Sequence, residues 1–379
     1  MLDVVIAGAG PAGATAAWVA ARAGARVLIV DRDQFPRDKL CGDTLNPGAL
    51  ALLRSISLDD GLASLGQPIG GMRVTGAGAT VDARYQPDRC GLAVTRRVFD
   101  GWLLERAIAA GAHFEPGLIV RKPLLDESAG RSVVRGLVLA RRGDSDSVIR
   151  MPGSVTIAAD GRSSVIARAL GLSSVPPHPR RWAFGTYVSG VADVTDLGEM
   201  HIAAGRYIGI ARVKDDVANV CVVTGPRPDG PTPLDVMRRA IAGAPVIRAR
   251  FERARFDAPV RVLGPLAMDV RAAGADGVLL AGDAAGFVDP MTGDGMSLAM
   301  HGAVLAAREA LGILESGDYL GAVDRLTAAR QKAIGTKQRF DRLVRRLVES
   351  PAALTAASLG ARVAPGLVRW AVRYAGDAA

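Results

Sequence analysis

Apolar residues follow two periods along this chain, and the switches between them outline its elements. A short run over residues 2–7, apolar except for Asp3, reads as a buried strand. Residues 14–23 are Ala-rich and helical in character, and Gly24 stops them. A second run over 26–30, apolar after Arg26, reads as the next strand, with Asp31 at its tip. Helical spacing returns over 49–55 and over 96–110 ("RRVFDGWLLERAIAA"), the latter closed by Gly111. Residues 70–91 read as short strands with turns, "GAGAT" at 76–80 being one such turn. Residues 112–120 form a further strand region, and 133–158 two hairpin-like strands ended by Asp160 and Gly161. From 173 to 263 the alternation is β-like ("WAFGTYVSGV", "YIGIARV", "NVCVVT"), with "KDD" at 214–216 as a hairpin turn and a helix from 234 to about 242. The α/β pattern returns with a strand over 277–281, a glycine-rich loop and a long helix.

The run from Val4 to Ala21 holds eighteen residues without a charge, enough for a hydropathy scan to flag a membrane span or a signal-peptide core. Neither reading accounts for its residues. The chain opens Met-Leu-Asp, with an acid and no base ahead of the apolar stretch. A spanning helix tolerates Gly8, Gly10, Pro11 and Gly13 poorly. A strand–turn–helix–strand unit accounts for all of them, Ala12 included. Gly8 permits a tight turn, Gly10 lets the backbone approach a pyrophosphate, and Gly13 lets the helix pack closely on the strand. Asp31 stands eighteen residues after Gly13, where an acid accepts hydrogen bonds from ribose hydroxyls. The helix N-terminus turns amide donors and a partial positive charge toward the phosphates. The acid points to an unphosphorylated adenosine ribose, and so to NAD or FAD rather than NADP in this pocket.

Composition narrows the picture. The 379 residues are 49% hydrophobic and 22% charged, an ordinary globular balance with room for two domains. A net charge of +9 fits an anionic cofactor, an anionic lipid or nucleic acid. No zinc-ligand spacing and no Arg stripe interleaved with aromatics is present, so nucleic acid is not expected as a partner. The excess is partly local: Arg330 to Arg346 holds seven Lys or Arg against one Asp. Cys41, Cys90 and Cys221 form no CxxC pair, and His113, His178, His201 and His301 are scattered. Neither a disulfide framework nor a metal site is predicted, and a reducing, cytoplasmic setting fits.

Three stretches together resemble the superfamily of FAD-dependent oxidoreductases and aromatic hydroxylases. One is the N-terminal unit. The second, "AADGRSSVIARALG" at 158–171, is similar to the DG motif of those hydroxylases. The third, "LLAGDAAGFVDPMTGDGMSLAMHGA" at 279–303, is similar to their GD motif. The resemblance implies an α/β, Rossmann-like FAD-binding domain with an inserted antiparallel-sheet substrate domain and C-terminal helices. The FAD-binding parts are expected over 1–72, 92–172 and 264–330. The substrate domain is expected over 73–91 and 173–263, and a C-terminal helical segment over 331–379. One complete nucleotide fingerprint is present, so NAD(P)H is expected as a transient electron donor rather than a resident second dinucleotide. On this resemblance Asp283, with Gly282, contacts the ribityl chain, and the turn through Pro290, Gly293, Gly295 and Met296 sets backbone amides against the flavin.

Within the superfamily, "FPRDKLCGD" at 35–43 resembles the PRxKxCGG loop of geranylgeranyl reductases, with Gly42-Asp43 in place of Gly-Gly. That branch implies Arg37, Lys39 and Cys41 beside the isoalloxazine and Arg96 as a flavin-contacting arginine. Arg32 joins them as a cofactor-side residue. The branch's aromatic YxWxFP element is replaced by "YIGIAR" at 207–212, and the tryptophan-rich element of flavin halogenases is absent. Cys41, Lys39 and Asp43 are the candidate catalytic residues. A thiol near Arg37 or Lys39 gains thiolate character, and Asp43 or Asp294, buried beside a flavin, tends toward the neutral acid. Asp160 reads as a cap for the following helix that supports the cofactor cleft.

Three functions fit this reading. One is a reductase that passes hydride from NAD(P)H-reduced flavin to a small apolar, isoprenoid- or polyketide-like substrate. Another is a monooxygenase that hydroxylates an aromatic or polyketide-like compound. The third is a non-catalytic lipid-binding protein of the same fold. The basic stretch "TKQRFDRLVRRLVESP" offers either peripheral membrane contact or a covering helix with Phe340, Leu343, Val344 and Leu347 packed inward.

Overall fold

The computed structural model describes residues 2–76, 78–86, 88–127, 132–177, 181–203, 205–225 and 232–376. His178 lies outside them. Along the chain come β1 (Leu2–Ala7), α1 (Pro11–Arg22), β2 (Val27–Asp31) and α2 (Pro47–Ser55). Next are β3 (Gly71–Gly76), β4 (Ala79–Arg84) and α3 (Arg96–Ala109). The sequence then builds β5 (His113–Pro116), β6 (Leu118–Asp126), β7 (Val133–Arg141), β8 (Asp144–Ala158) and the short α4 (Val165–Ala169). A run of four strands follows: β9 (Trp182–Ser189), β10 (Leu197–Ala203), β11 (Arg206–Lys214) and β12 (Val217–Thr224). The rest is α5 (Pro233–Ala242), β13 (Val278–Leu280), α6 (Gly295–Ser316), α7 (Ala322–Glu349), α8 (Pro351–Val363) and α9 (Pro365–Ala375).

The first sheet is doubly wound. Its parallel strands run in the order β13-β8-β1-β2-β5, with β8 continuing outward into antiparallel pairing with β7, and β7 with β6. One face is covered by α1, α3 and α6, whose Ala-rich surfaces (Ala14, Ala17, Ala303, Ala306) let the helices sit close. The other face packs against α4 and the β6–β7 hairpin through Val5, Leu28, Leu137, Leu139 and Ile166. The uncharged run of residues 4–21 is thus β1, the turn and α1, buried as strand and core helix rather than as a span. Among the described residues one helix, α6, is long and apolar enough to cross a membrane, and half of its apolar window is buried within the fold.

The second sheet joins distant parts of the chain. In the order β9-β12-β11-β10-β3-β4, the strands β3 and β4 add to the run from 182 to 224, with β3 parallel to β10. Its outer face, with Phe184, Val188, Ile208, Ile210, Val220 and Val222, is closed by α5. Its inner face turns toward the first sheet. Helices α7 to α9 close the edge between the sheets, with Val344, Leu347 and Val348 against Tyr207.

Several boundaries differ from the periodicity. The first helix begins at Pro11, three residues earlier than its Ala-rich stretch suggests, because Pro at the first position loses no hydrogen bond and presets φ. The strand expected over 112–120 breaks at Gly117, where φ is +74°, into β5 and β6. The inward packing expected of Leu343 is wrong: it is 62% exposed, and the fully buried apolar position at that end of α7 is Val348.

The turn between β1 and α1 is set by two glycines. A Cβ on Gly13 would collide with the carbonyl oxygen of Gly8, and one on Gly8, whose φ is +94°, with that of Ala159. By contrast, a Cβ on Gly312 inside α6 would meet nothing within 4 Å. The same substitution therefore has opposite signs at the two sites. Gly13→Ala should destabilise by about 1–3 kcal/mol, and Gly312→Ala should stabilise by about 0.5–1 kcal/mol. The shift of the urea midpoint at unchanged slope measures both.

Candidate functional site

The crevice between the sheets begins at the N-terminus of α1. Gly10 occupies the cap position and no side chain caps the helix, so its first amides point into the crevice. Asp31 is fixed beside them: Oδ2 accepts from the Ala9 amide at 2.8 Å and Oδ1 from the Asp33 amide at 2.9 Å. Each oxygen keeps a lone pair for a further donor. Arg32 stays exposed at the tip of β2, 3.7 Å from Asp33. Arg37 and Arg96 reach the turn itself. A Cβ on Gly10 would lie 3.5 Å from Nη2 of Arg37 and 3.9 Å from Nη2 of Arg96.

One carboxylate holds both guanidinium groups. Asp100, fully buried, accepts from Arg96 Nε at 2.6 Å and Nη2 at 2.7 Å, and pairs with Arg37 Nη1 at 3.1 Å. Arg37 also lies over the Phe35 ring, 4.6 Å from its centroid. Two cations share one anion, so a net positive charge remains where the chain approaches Gly10. Asp100 was not foreseen from sequence. Its signal was present, however: it stands four residues after Arg96 on a readable helix, the spacing of an ion pair.

The far end of the crevice is built from the strand tips beyond β8 and β13. Gly282, with φ +59°, backs onto α1, and a Cβ there would come within 2.7 Å of the Ala12 Cβ. Burial pushes the Asp283 carboxyl up, while Arg96, Lys39 and Arg162 draw it down. The cap expected of Asp160 is a correction: Ser164 is the N-cap of α4 and accepts from the Ala167 amide at 3.0 Å, while Asp160 Oδ2 accepts from the Val165 amide at 2.8 Å and Gly161 follows at φ +80°. Pro290 opens a short 3₁₀ turn, Gly293 closes it at φ +71°, Gly295 starts α6, and Met296 is buried. Helix α7 lies behind this loop. A cavity of about 30 Å³ there is lined by Asp283, Asp294 and Gly295 on one side and by Arg330, Gln338 and Asp341 on the other. Burial, and then Asp294, pushes the Asp341 carboxyl up.

The loop through residues 38–43 ties the second sheet to the crevice. Asp43, fully buried and at φ +55°, accepts from Tyr187 Oη at 2.8 Å, Asn219 Nδ2 at 2.7 Å and the Arg96 amide at 3.1 Å. Burial raises its carboxyl to about 6 against the pull of those three donors. Asn219 also donates to the Cys41 carbonyl at 2.9 Å. Leu40 seats against Gly185 of β9, where a Cβ would strike it. The expected thiolate at Cys41 is a correction: burial pushes the thiol up, more than the facing Arg96 lowers it. Desolvation, with Arg37, Arg96 and Arg32 nearby, lowers the exposed Lys39 ammonium below its ordinary value. Cys90 is exposed and distant in role, whereas Cys221 donates toward the Cys41 carbonyl at 3.3 Å.

A second buried network steadies the loop ahead of α6 and was also missed. Asp289 accepts from Arg181 Nη1 at 3.0 Å, Tyr207 Oη at 2.7 Å and the Met291 amide at 3.1 Å. Tyr187, Asn219, Arg181 and Tyr207 carry no local motif. Their partners lie tens to hundreds of residues away in sequence, so only the register of the second sheet brings them in.

These residues fit an FAD. The uncapped helix, the glycine cradle, Asp31 and the Arg37–Arg96 pair match an adenosine diphosphate. Asp283, Asp160 and the amides around Gly295 match a ribityl chain and an uncharged ring system. Among the described residues no group of three His, Cys, Asp or Glu side chains is placed to hold a metal ion.

Comparison with known proteins agrees with this geometry. Residues 1–318 match the FAD binding domain family. The chain is 32% identical over 336 residues to "Digeranylgeranylglycerophospholipid reductase 1" of Methanopyrus kandleri, covering 83% of this chain and 82% of that one. It is 31% identical over 338 residues to the "Menaquinone reductase" of Mycobacterium tuberculosis, covering 83% and 77%. The myxobacterial chondrochloren halogenase CndH, described as a variant of FAD-dependent halogenases, superposes with a TM-score of 0.83 at 19% identity over 97% of this chain and 90% of that one, which bears on the fold alone. The chain is therefore an FAD-dependent oxidoreductase of the geranylgeranyl reductase type, a member of the FAD binding domain family.

Proposed function

We propose that this protein saturates carbon–carbon double bonds of a small apolar, isoprenoid- or polyketide-like substrate, with NADH or NADPH as the electron donor. When bound, FAD supplies the two-electron chemistry between donor and substrate. The names of the relatives at about 30% identity support a reductase. The observation that carries the reading is Asp43, a buried carboxyl poised near neutrality between the cofactor crevice and the second sheet.

Saturating a double bond adds two hydrogens, and the nicotinamide delivers only one of them. The other arrives as a proton, so the site needs a group that holds one near neutral pH without being hydrated away. Asp43 has that property. Tyr187 and Asn219 fix its orientation and, as uncharged donors, add no charge to an apolar site. Cys41, kept neutral by burial, completes an uncharged lining. Gly185 leaves room for Leu40 and Cys221, both of which a Cβ there would strike. Exposed Lys39 and Arg32 at the rim gather the phosphates of a visiting dinucleotide.

Turnover without oxygen tests the function. Purified protein reconstituted with FAD and given NADH or NADPH should return an isoprenoid alkene with two added hydrogens under anaerobic conditions. A product that forms only in air and contains a new oxygen atom would establish a hydroxylase instead.

Asp43 also makes stability depend on pH with a definite sign. Its folded value, about 6, lies above the ordinary aspartate value of 3.8. The folded state therefore holds the proton more tightly, and the associated stability is present below pH 4 and lost as pH rises through 6. Relative to Asp43→Asn, the protein should lose about 2–3 kcal/mol between pH 4 and 7 and change little above that. Urea unfolding of both proteins across that range measures the difference.

A further inference from the structure

Helices α8 and α9 bury Leu354, Ser358, Ala361 and Ala375, yet carry a second apolar face outward. On α8 the residues Ala352, Ala356, Leu359 and Val363 are spaced four, three and four apart, so they form one stripe along the helix, and all four are exposed. Leu359 and Val363 are 63% and 81% exposed. The stripe continues onto α9 at Leu367 and Trp370, which are 70% and 55% exposed. Leu343 of α7 adds to the same segment. Among the described residues, five of the twelve large apolar side chains that stand exposed fall in this last part of the chain.

The polar side of these helices is used to attach them. Arg362 donates to the Gly78 carbonyl at 3.0 Å, Arg369 to that of Asp82 at 3.3 Å and Arg373 to that of Arg84 at 3.0 Å, all along β4. Lys337 and Asn46 bind the Ala375 carbonyl at 2.9 and 3.3 Å. Tyr374 is held between Trp370 and Phe340, with ring centroids 5.4 and 5.1 Å away. The helices are thus fastened by their arginines, and the apolar stripe is what they present outward.

We propose that this stripe is a docking face for the surface of an anionic lipid bilayer. Leu359, Val363, Leu367 and Trp370 enter the headgroup–acyl boundary, where Trp in particular settles. Arg339, Arg342 and Arg346 of α7, and Arg362 and Arg369 next to Val363 and Trp370 in sequence, are exposed in the same C-terminal segment. From residue 351 to 376 the sequence contains no Asp or Glu. Asp82 beneath α9 is paired with Arg73 at 2.7 Å. A second copy of the chain is a poor occupant, because a two-fold contact would set these arginines against themselves. Anionic headgroups neutralise them instead, with attraction that salt weakens. The inference goes beyond the redox reading and does not depend on it, since it rests on the surface of α8 and α9 alone.

The test uses the FAD-reconstituted protein and vesicles of phosphatidylcholine with or without an equal share of phosphatidylglycerol. Co-sedimentation should occur with the anionic vesicles and weaken with salt. It should fall at least tenfold in a variant carrying Leu359→Gln, Val363→Gln, Leu367→Gln and Trp370→Gln. Because these side chains are exposed, the variant should keep its FAD content and its circular dichroism, which separates lost docking from lost folding. In the parent protein, tryptophan emission should shift to the blue on adding anionic vesicles, and the shift should be absent in Trp370→Phe. No binding to anionic vesicles, or binding undiminished in the fourfold variant, would overturn the proposal. So would a dimer in solution that the fourfold variant abolishes, because the stripe would then be an interface between copies.

Discussion

The whole arrangement depends on one backbone contact: α1 pressed against the tip of β1 so closely that no side chain fits between Gly8 and Gly13. That closeness leaves the first amides of α1 uncapped and aimed along the strand tips. It also lets Gly282 sit directly against Ala12, so the segment beyond β13 meets the same crevice from the other side. Two parts of the chain almost 270 residues apart come to border one elongated groove. A helix end of this kind attracts anions, and the chain adds to the attraction rather than neutralising it. Asp100 anchors Arg37 and Arg96 and is outnumbered by them.

Buried charge has to be balanced nearby, and three buried carboxylates along that groove are balanced in different ways. Asp100 without its two partners would be an isolated interior anion, strongly unfavourable. Asp289 is compensated by Arg181 and Tyr207. Asp43 has three donors yet no cation within its own hydrogen bonds, and its proton affinity rises accordingly. The two sheets are therefore joined through Asp43 by a link that is sensitive to protonation. Elsewhere they are joined by apolar packing under α7.

Much of the fold was legible in the sequence because it is written locally. Gly8, Gly10, Gly13 and Asp31 encode a complete unit within thirty residues, and the β-like alternation of 182–224 encodes a half-buried antiparallel sheet. The inclusion of β3 and β4 in that sheet is a matter of long-range pairing with β10, which periodicity does not carry. The site was legible in part for the same reason. Residues inside motifs border the crevice, with Arg37 and Arg96 at the Gly10 turn rather than at the ring end that the resemblance implied, whereas Tyr187, Asn219, Arg181 and Tyr207 have no motif and enter by sheet register. Charge was the least legible property. The same neighbourhood that sets guanidinium groups near Cys41 also buries it, and burial wins for a thiol. Likewise the helical period of α7 places Leu343 near its inward stripe, while the three-dimensional course of the helix leaves it outside.

The central claim is that one cofactor is held at both ends by these distant segments. Fluorescence-quenching titrations of FAD, and competition by ADP, test it on the parent protein, Gly10→Val and Asp283→Ala. Gly10→Val should weaken FAD and ADP alike, by tenfold or more, about 1.4 kcal/mol or above. Asp283→Ala should weaken FAD comparably and leave ADP unchanged. An Asp283→Ala protein that binds FAD as tightly as the parent, or that loses ADP to the same degree, would contradict the account.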